Sequence, residues 1–157
     1  EQLRAEHRAV LTSLPFVCIE GPFTLVHGSL RNPIIEYLLD RNSAVGTLGL
    51  METDYCLVGH SHIPFVCCEV MGSPLDAEFA EFPEDEPISL GSVRRIINPG
   101  DVGQPRDRDP RPSYSVSDSE SKVSYRHRVS YDITKTQNKM RAVGLHGHLI
   151  DRLGHGL

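Results

Sequence analysis

Val58-Gly59-His60-Ser61-His62-Ile63-Pro64-Phe65 places two imidazoles two residues apart, where an apolar run meets a glycine. Read as extended chain, the segment sends His60 and His62 to the same side with Cα atoms roughly 6.5–7 Å apart. Both then reach one metal cluster. A neutral histidine nitrogen is the commonest protein ligand for zinc, manganese or iron, and Gly59 lets the backbone bend at a strand end where a ligand could sit. Taken alone, the pair also suits surface histidines at a strand end, so the reading turns on two further segments.

Upstream, Leu25-Val26-His27-Gly28-Ser29 is again an apolar run that delivers a histidine just before a glycine. With Asn32-Pro33 and the amphipathic Ile34–Leu39 behind it, the pattern predicts strand, loop, helix. In open α/β sheets ligands bind at the carboxyl ends of strands, which makes His27 a candidate third ligand. Downstream, Ile97-Asn98-Pro99-Gly100-Asp101-Val102-Gly103-Gln104-Pro105-Arg106-Asp107 is a strand end running into a long loop of turn residues.

In this order, V-H-G-S, then G-H-S-H-I-P-F, then I-N-P-G-x-V-G-Q-P-R-D-x-D-P-R-x-S-Y, the chain resembles the calcineurin-like metallophosphoesterases, in particular their small bacterial phosphodiesterase branch. The tail from Arg128 to Leu157, with V-S-Y-D-I-T-K-T and A-V-G-L, is similar to that family's closing strand and helices. The resemblance implies an α/β fold, a four-layer α-β-β-α sandwich of which residues 1–157 are the carboxyl-terminal part of a single domain, contributing mostly the second sheet. It also implies a dinuclear hydrolase of phosphate esters, a phosphodiesterase or phosphatase. By that likeness His60 and His27 bind one ion and His62 the other. Two cations about 3.5–4 Å apart hold a phosphate, lower the pKa of a bridging water and stabilise the leaving oxygen. Manganese is the first expectation; iron, zinc, cobalt and nickel suit the same ligands.

The family's other motifs are not in this sequence. Asp-x-His, Gly-Asp-x-x-Asp and Gly-Asn-His supply its remaining ligands, its bridging aspartate and the histidine that assists the leaving group, and none occurs here. No catalytic residue is therefore assigned. The chain opens Glu1-Gln2-Leu3-Arg4, inside an amphipathic helix whose Leu3, Val10, Leu11 and Leu14 are expected to pack inward. It reads as the carboxyl-terminal half of a longer enzyme, binding metal weakly and hydrolysing little by itself. Asp101, standing where the family usually has a small hydroxyl residue, leaves room for a non-catalytic interaction module on the same fold. A cupin-like metal barrel is a third reading that the helical tail fits badly.

With 157 residues and 39% hydrophobic content the chain is long enough for one core. No apolar run approaches the roughly 20 residues that span a bilayer, so no membrane role is expected, and the cytoplasm is the default location. Cys18, Cys56, Cys67 and Cys68 all fall in apolar strand-like runs, which suits buried reduced thiols better than disulfides. A net charge of −5 gives no footprint for nucleic acid. Arg106–Arg111 alternates in sign and reads as a solvated loop, with Arg106 the candidate phosphate-binding side chain because a guanidinium matches phosphate oxygens. The expected partner is a small phosphate-ester substrate, and a homo-oligomer is compatible with the sequence.

Hydrophobic periodicity predicts a helix ending near Ser13, strands at Phe16–Glu20 and Phe23–His27, and a helix over Ile34–Asp40. Strands follow at Tyr55–Gly59, Phe65–Val70, Ile88–Asn98, Tyr114–Ser119 and Lys122–Ser130, with an acidic loop around Glu78–Glu86. Helices close the chain at Thr134–Arg141, capped by Thr134 and stopped by Gly144, and at Leu145–Leu153. Half a sandwich would leave an apolar face and an unpaired edge.

Overall fold

The computed structural model describes residues 3–73 and 76–157. Among the described residues nine strands and four helices follow in chain order: α1 (Ala5–Ser13), β1 (Val17–Glu20), β2 (Phe23–Val26), α2 (Arg41–Leu48), β3 (Tyr55–Leu57), β4 (Phe65–Glu69), β5 (Ala77–Ala80), β6 (Pro87–Ser89), β7 (Arg95–Asn98), β8 (Ser113–Asp118), β9 (Val123–Arg128), α3 (Ile133–Ala142) and α4 (Gly147–Asp151). Six strands form one sheet in the order β1-β2-β3-β7-β4-β5, and three form a second in the order β6-β9-β8.

At the centre of the large sheet β2, β3 and β7 run parallel, with Leu25 opposite Leu57 and Leu57 opposite Ile97. This register ends the three strands side by side. The loops that carry His27, His60–His62 and Asn98–Asp101 therefore leave the sheet from one edge, the edge where α/β sheets place their ligands.

Alternating side chains give this sheet two cores. On one face Val26, Cys56, Cys67 and Ile96 pack with Ala44 and Leu48 of α2 and with Leu38; on the other, Tyr55, Val66 and Ile97 pack with Phe82 and Leu90, and Ile88 of β6 joins them. Burial of these apolar side chains, each worth roughly 1.5–3 kcal/mol, fixes which way β2, β3, β4 and β7 face. Cys67 and Cys68 accordingly face opposite cores.

Several sequence expectations are corrected. The helix lies at Arg41–Leu48 and not Ile34–Asp40: Asp40 starts it, its carboxylate accepting from Ser43 N while the Ser43 hydroxyl sits against the Asp40 backbone in a capping box. The run Ile88–Asn98 is two strands in different sheets, broken at Gly91, whose φ of 61° turns the chain. The acidic stretch begins as a strand, β5, paired with β4. Asp132, not Thr134, caps α3 by accepting from Lys135 N, and the last predicted helix is the single turn of α4 plus a 3-10 turn at Arg152–Gly154. Gly144 stops α3 as expected, at φ 74°. Leu3, Val10, Leu11 and Leu14 are exposed, and of the four cysteines Cys18 is exposed and Cys68 partly so.

Candidate metal centre

The Gly59–His62 segment is not extended. β3 ends at Leu57, and His60 and His62 adopt φ of 57° and 60°, the left-handed region that costs L-residues about 1–2 kcal/mol each. Such strain persists only when the surroundings hold it, and it clusters at functional sites. The period-2 argument for a shared direction of His60 and His62 therefore does not apply, and the two rings take different partners.

What holds the loop is hydrogen bonding from both flanking strand ends. Gly59 N donates to His27 O at 2.9 Å and Val58 N to Ile97 O at 2.9 Å. Asn98 has no solvent exposure; its amide donates to Gly59 O at 2.8 Å and to Ser61 Oγ at 2.9 Å, and its Oδ1 accepts from Gly100 N at 2.9 Å. Gly100, at φ 93°, passes so close to Ser113 that an added Cβ would lie 3.0 Å from it. Glycine is required there on both counts.

His27 and His60 meet. Their Nε2 and Nδ1 lie 2.9 Å apart, and His60 also bonds the backbone of Ile35. Burial and the neighbouring His27 push the His60 pKa below its ordinary value, with His62 and Arg106 adding to the effect, so the neutral, ligating form is favoured. Two nitrogens each about 2.0–2.1 Å from one tetrahedral ion would be separated by about 3.3 Å. The pair, at hydrogen-bond distance here, needs to open by only a few tenths of an ångström to share a cation.

His62 faces another partner. Its Nδ1 lies 2.6 Å from Asp101 Oδ2 and 2.8 Å from Gln104 O, while the same carboxylate accepts from Gln104 N at 2.7 Å and Gly103 N at 3.1 Å. Two oxygens on Nδ1 fix the proton there and leave Nε2 with its lone pair, the arrangement in which a carboxylate orients a metal-ligating imidazole. Asp101 is a residue that sequence reasoning undervalued as a departure from the family. Its Asx-turn pattern, Asp followed by Gly two residues on, was the available signal.

Arg106 lies beside these rings. Its N donates to His62 O at 3.2 Å, one guanidinium nitrogen donates to Gln104 Oε1 at 3.1 Å, and its buried Nε has no acceptor among the described residues. An orphaned guanidinium donor at this place suits an anion. The rest of the loop is not the solvated run expected: Arg128 pairs with Asp107, and Arg111 grips Glu84 through two nitrogens at 2.7 and 2.8 Å while also bonding Asp109. Among the described residues no group of three or more His, Cys, Asp or Glu is gathered closely enough to hold a metal ion. The donor set present is two imidazoles on one side and one oriented imidazole on the other.

Fold and strand-end histidines together describe a mixed α/β domain built around a two-faced sheet, and the comparisons show which known proteins share it. The structure matches the crystal structure of a metallophosphoesterase from Sphaerobacter thermophilus with a TM-score of 0.93 and 41% identity, covering 99% of this chain and 64% of that one. A hypothetical protein, PH1004, from Pyrococcus horikoshii OT3 shares the fold at a TM-score of 0.70 and 21% identity, over 97% of this chain and 55% of that one. The uncharacterized protein MJ0912 of Methanocaldococcus jannaschii is 35% identical over 144 residues, 88% of this chain and 55% of that protein. No family model matches. The likeness to the Sphaerobacter metallophosphoesterase supports the resemblance to the calcineurin-like metallophosphoesterases, and the chain spans between about half and two thirds of the length of these relatives.

Proposed function

We propose that this chain forms the histidine-bearing part of a metal-dependent phosphoesterase that hydrolyses small phosphate esters at a dinuclear centre. The observation that carries the reading is the 2.9 Å approach of His27 Nε2 to His60 Nδ1 at the ends of two adjacent parallel strands. His27 and His60 would hold one ion and His62, through Nε2, the other, with manganese the metal to try first. Bound there, divalent cations supply charge neutralisation and a lowered pKa for a shared water. The chain's own share is to orient these nitrogens, and, through Arg106, to hold the phosphate. With these ligands alone the chain would bind metal weakly and turn over little. Four unpaired cysteines suit a reducing compartment, and a cytoplasmic location is proposed with it.

The test is metal binding and hydrolysis of bis-p-nitrophenyl phosphate by the intact protein with manganese. His27→Ala and His60→Ala should each weaken manganese binding about a hundredfold or more and remove metal-dependent hydrolysis, with the fold kept by circular dichroism. Undiminished activity in both variants would sink the assignment. An intact protein that binds no metal would leave the interaction-module reading in its place.

A further inference from the structure

The strap from Gly28 to Leu38 belongs to neither sheet, yet it contacts His60 twice: Ile35 bonds the ring through its backbone, and the Tyr37 ring stacks on it with centroids 4.1 Å apart and planes 24° apart. His27 meets the same imidazole edge-on, at 62°. His60 is thus held between an aromatic face and the ring it faces across the candidate site.

The strap is rigid enough to impose that orientation. Gly28 N donates to Pro33 O at 2.8 Å, and the strap folds so tightly over Gly28 that an added Cβ would lie 2.9 Å from Asn32 O. Asn32 N donates to Ser29 Oγ at 3.0 Å, and the Glu36 carboxylate takes both the Ser29 hydroxyl and the Arg31 guanidinium. Leu38, next to Tyr37, is 2% exposed in the core, whereas Tyr37 is 47% exposed. Tyr37 is pinned from both sides without itself filling the core.

We propose that Tyr37 is a positioning residue for metal ligation: its ring fixes the plane of the His60 imidazole so that Nδ1 faces His27 Nε2. The inference rests on the metal-site reading above and extends it to a side chain that ligates nothing. A histidine turns about χ2 in a broad, shallow well, and half a turn replaces a ring nitrogen by a carbon at the same place. A stacked neighbour on one face holds the ring plane, and the backbone bond of Ile35 opposes the half turn that would leave the plane unchanged but exchange nitrogen for carbon. The phenol hydroxyl has no part in this, so phenylalanine should serve as well as tyrosine.

The experiment is cobalt titration of the intact protein, followed by calorimetry and by the visible absorption of the bound ion, for wild type, Tyr37→Phe, Tyr37→Leu and His60→Ala. Tyr37→Phe should bind within about twofold of wild type with the same spectrum, and Tyr37→Leu about tenfold more weakly with altered bands, the size typical of losing a residue that orients a ligand. Tyr37→Leu binding like wild type with an unchanged spectrum would overturn the proposal while His60→Ala still lost the metal. Loss in Tyr37→Phe as large as in Tyr37→Leu would overturn it too, by assigning the effect to the hydroxyl. Wild type and His60→Ala binding cobalt equally would remove the metal-site reading and this inference with it. Should Tyr37→Leu not fold, Tyr37→Ser carries the same comparison.

Discussion

Asn98 donates its side-chain amide to Ser61 Oγ at 2.9 Å, in a position where neither residue is more than 3% exposed. This bond ties the end of β7 to the middle of the strained loop that carries His60 and His62, and the same amide holds Gly59 O. Asn98→Ala would strand a carbonyl, a hydroxyl and the Gly100 N–H, at about 1–3 kcal/mol for each group that water cannot reach. The expected outcome is a loss of roughly 2–4 kcal/mol in urea denaturation together with weaker manganese binding. Unchanged stability would mean that the loop holds its left-handed residues by other contacts.

Asp101 makes a narrower prediction, because its carboxylate acts on His62 alone among the three histidines. Asp101→Asn keeps the shape but replaces a charged acceptor with an amide, removing the bias that leaves His62 Nε2 free. Affinity for the ion at His62 should fall about 10–100-fold, with the His27–His60 ion unaffected. Stoichiometric titration with manganese reads this as the loss of one of two sites. Loss of both together, or of neither, would contradict the assignment.

Much of this was legible in the sequence because each site loop begins where an apolar run stops at a histidine, glycine or Asn-Pro-Gly. That punctuation survives single-sequence reading, and it placed the ends of β2, β3 and β7 within about two residues of where they stop. The failures have physical causes. Arg41–Leu48 contains Asn, Ser, Gly and Thr, which favour helix poorly, and owes its helix to the Asp40 cap and to burial of Ala44 and Leu48. Ile34–Leu39 has helical spacing of apolar residues, but only Leu38 reaches the core. The left-handed turns at His60 and His62 leave no trace in composition, since their cause is Asn98, more than thirty residues away in the sequence.

The strap under Tyr37 should loosen in acid. Hydrogen bonds from Arg31 and Ser29 hold the Glu36 carboxyl below its ordinary pKa of 4.5, and the Arg94 bond does the same for Glu69. A carboxylate with a depressed folded pKa binds fewer protons folded than unfolded, so its contribution is complete above about 4.5 and is lost as pH falls through the folded value. Melting temperature should therefore hold level from pH 7 to about 5 and drop below 4.5. Glu36→Gln should melt lower at neutral pH and show a shallower acid decline. An equal decline in that variant would place the acid sensitivity elsewhere.

The last prediction concerns the end of the large sheet. β1 is an edge strand with all four residues exposed, and beside it Leu11, Leu14, Phe16, Cys18, Leu25 and Leu57 line an apolar groove of about 580 Å³. Phe16 is 70% exposed and Leu14 60%, so this is one continuous greasy surface and not scattered side chains. Monomeric proteins rarely leave such a patch open, and an open edge next to it offers backbone pairing as well. Expressed as residues 1–157 alone, the chain should self-associate, eluting above monomer mass in light scattering and binding a hydrophobic dye. Leu11→Lys with Phe16→Glu should return it toward monomer without lowering its melting temperature, because neither side chain is buried. A monodisperse, dye-silent wild-type chain would contradict the prediction.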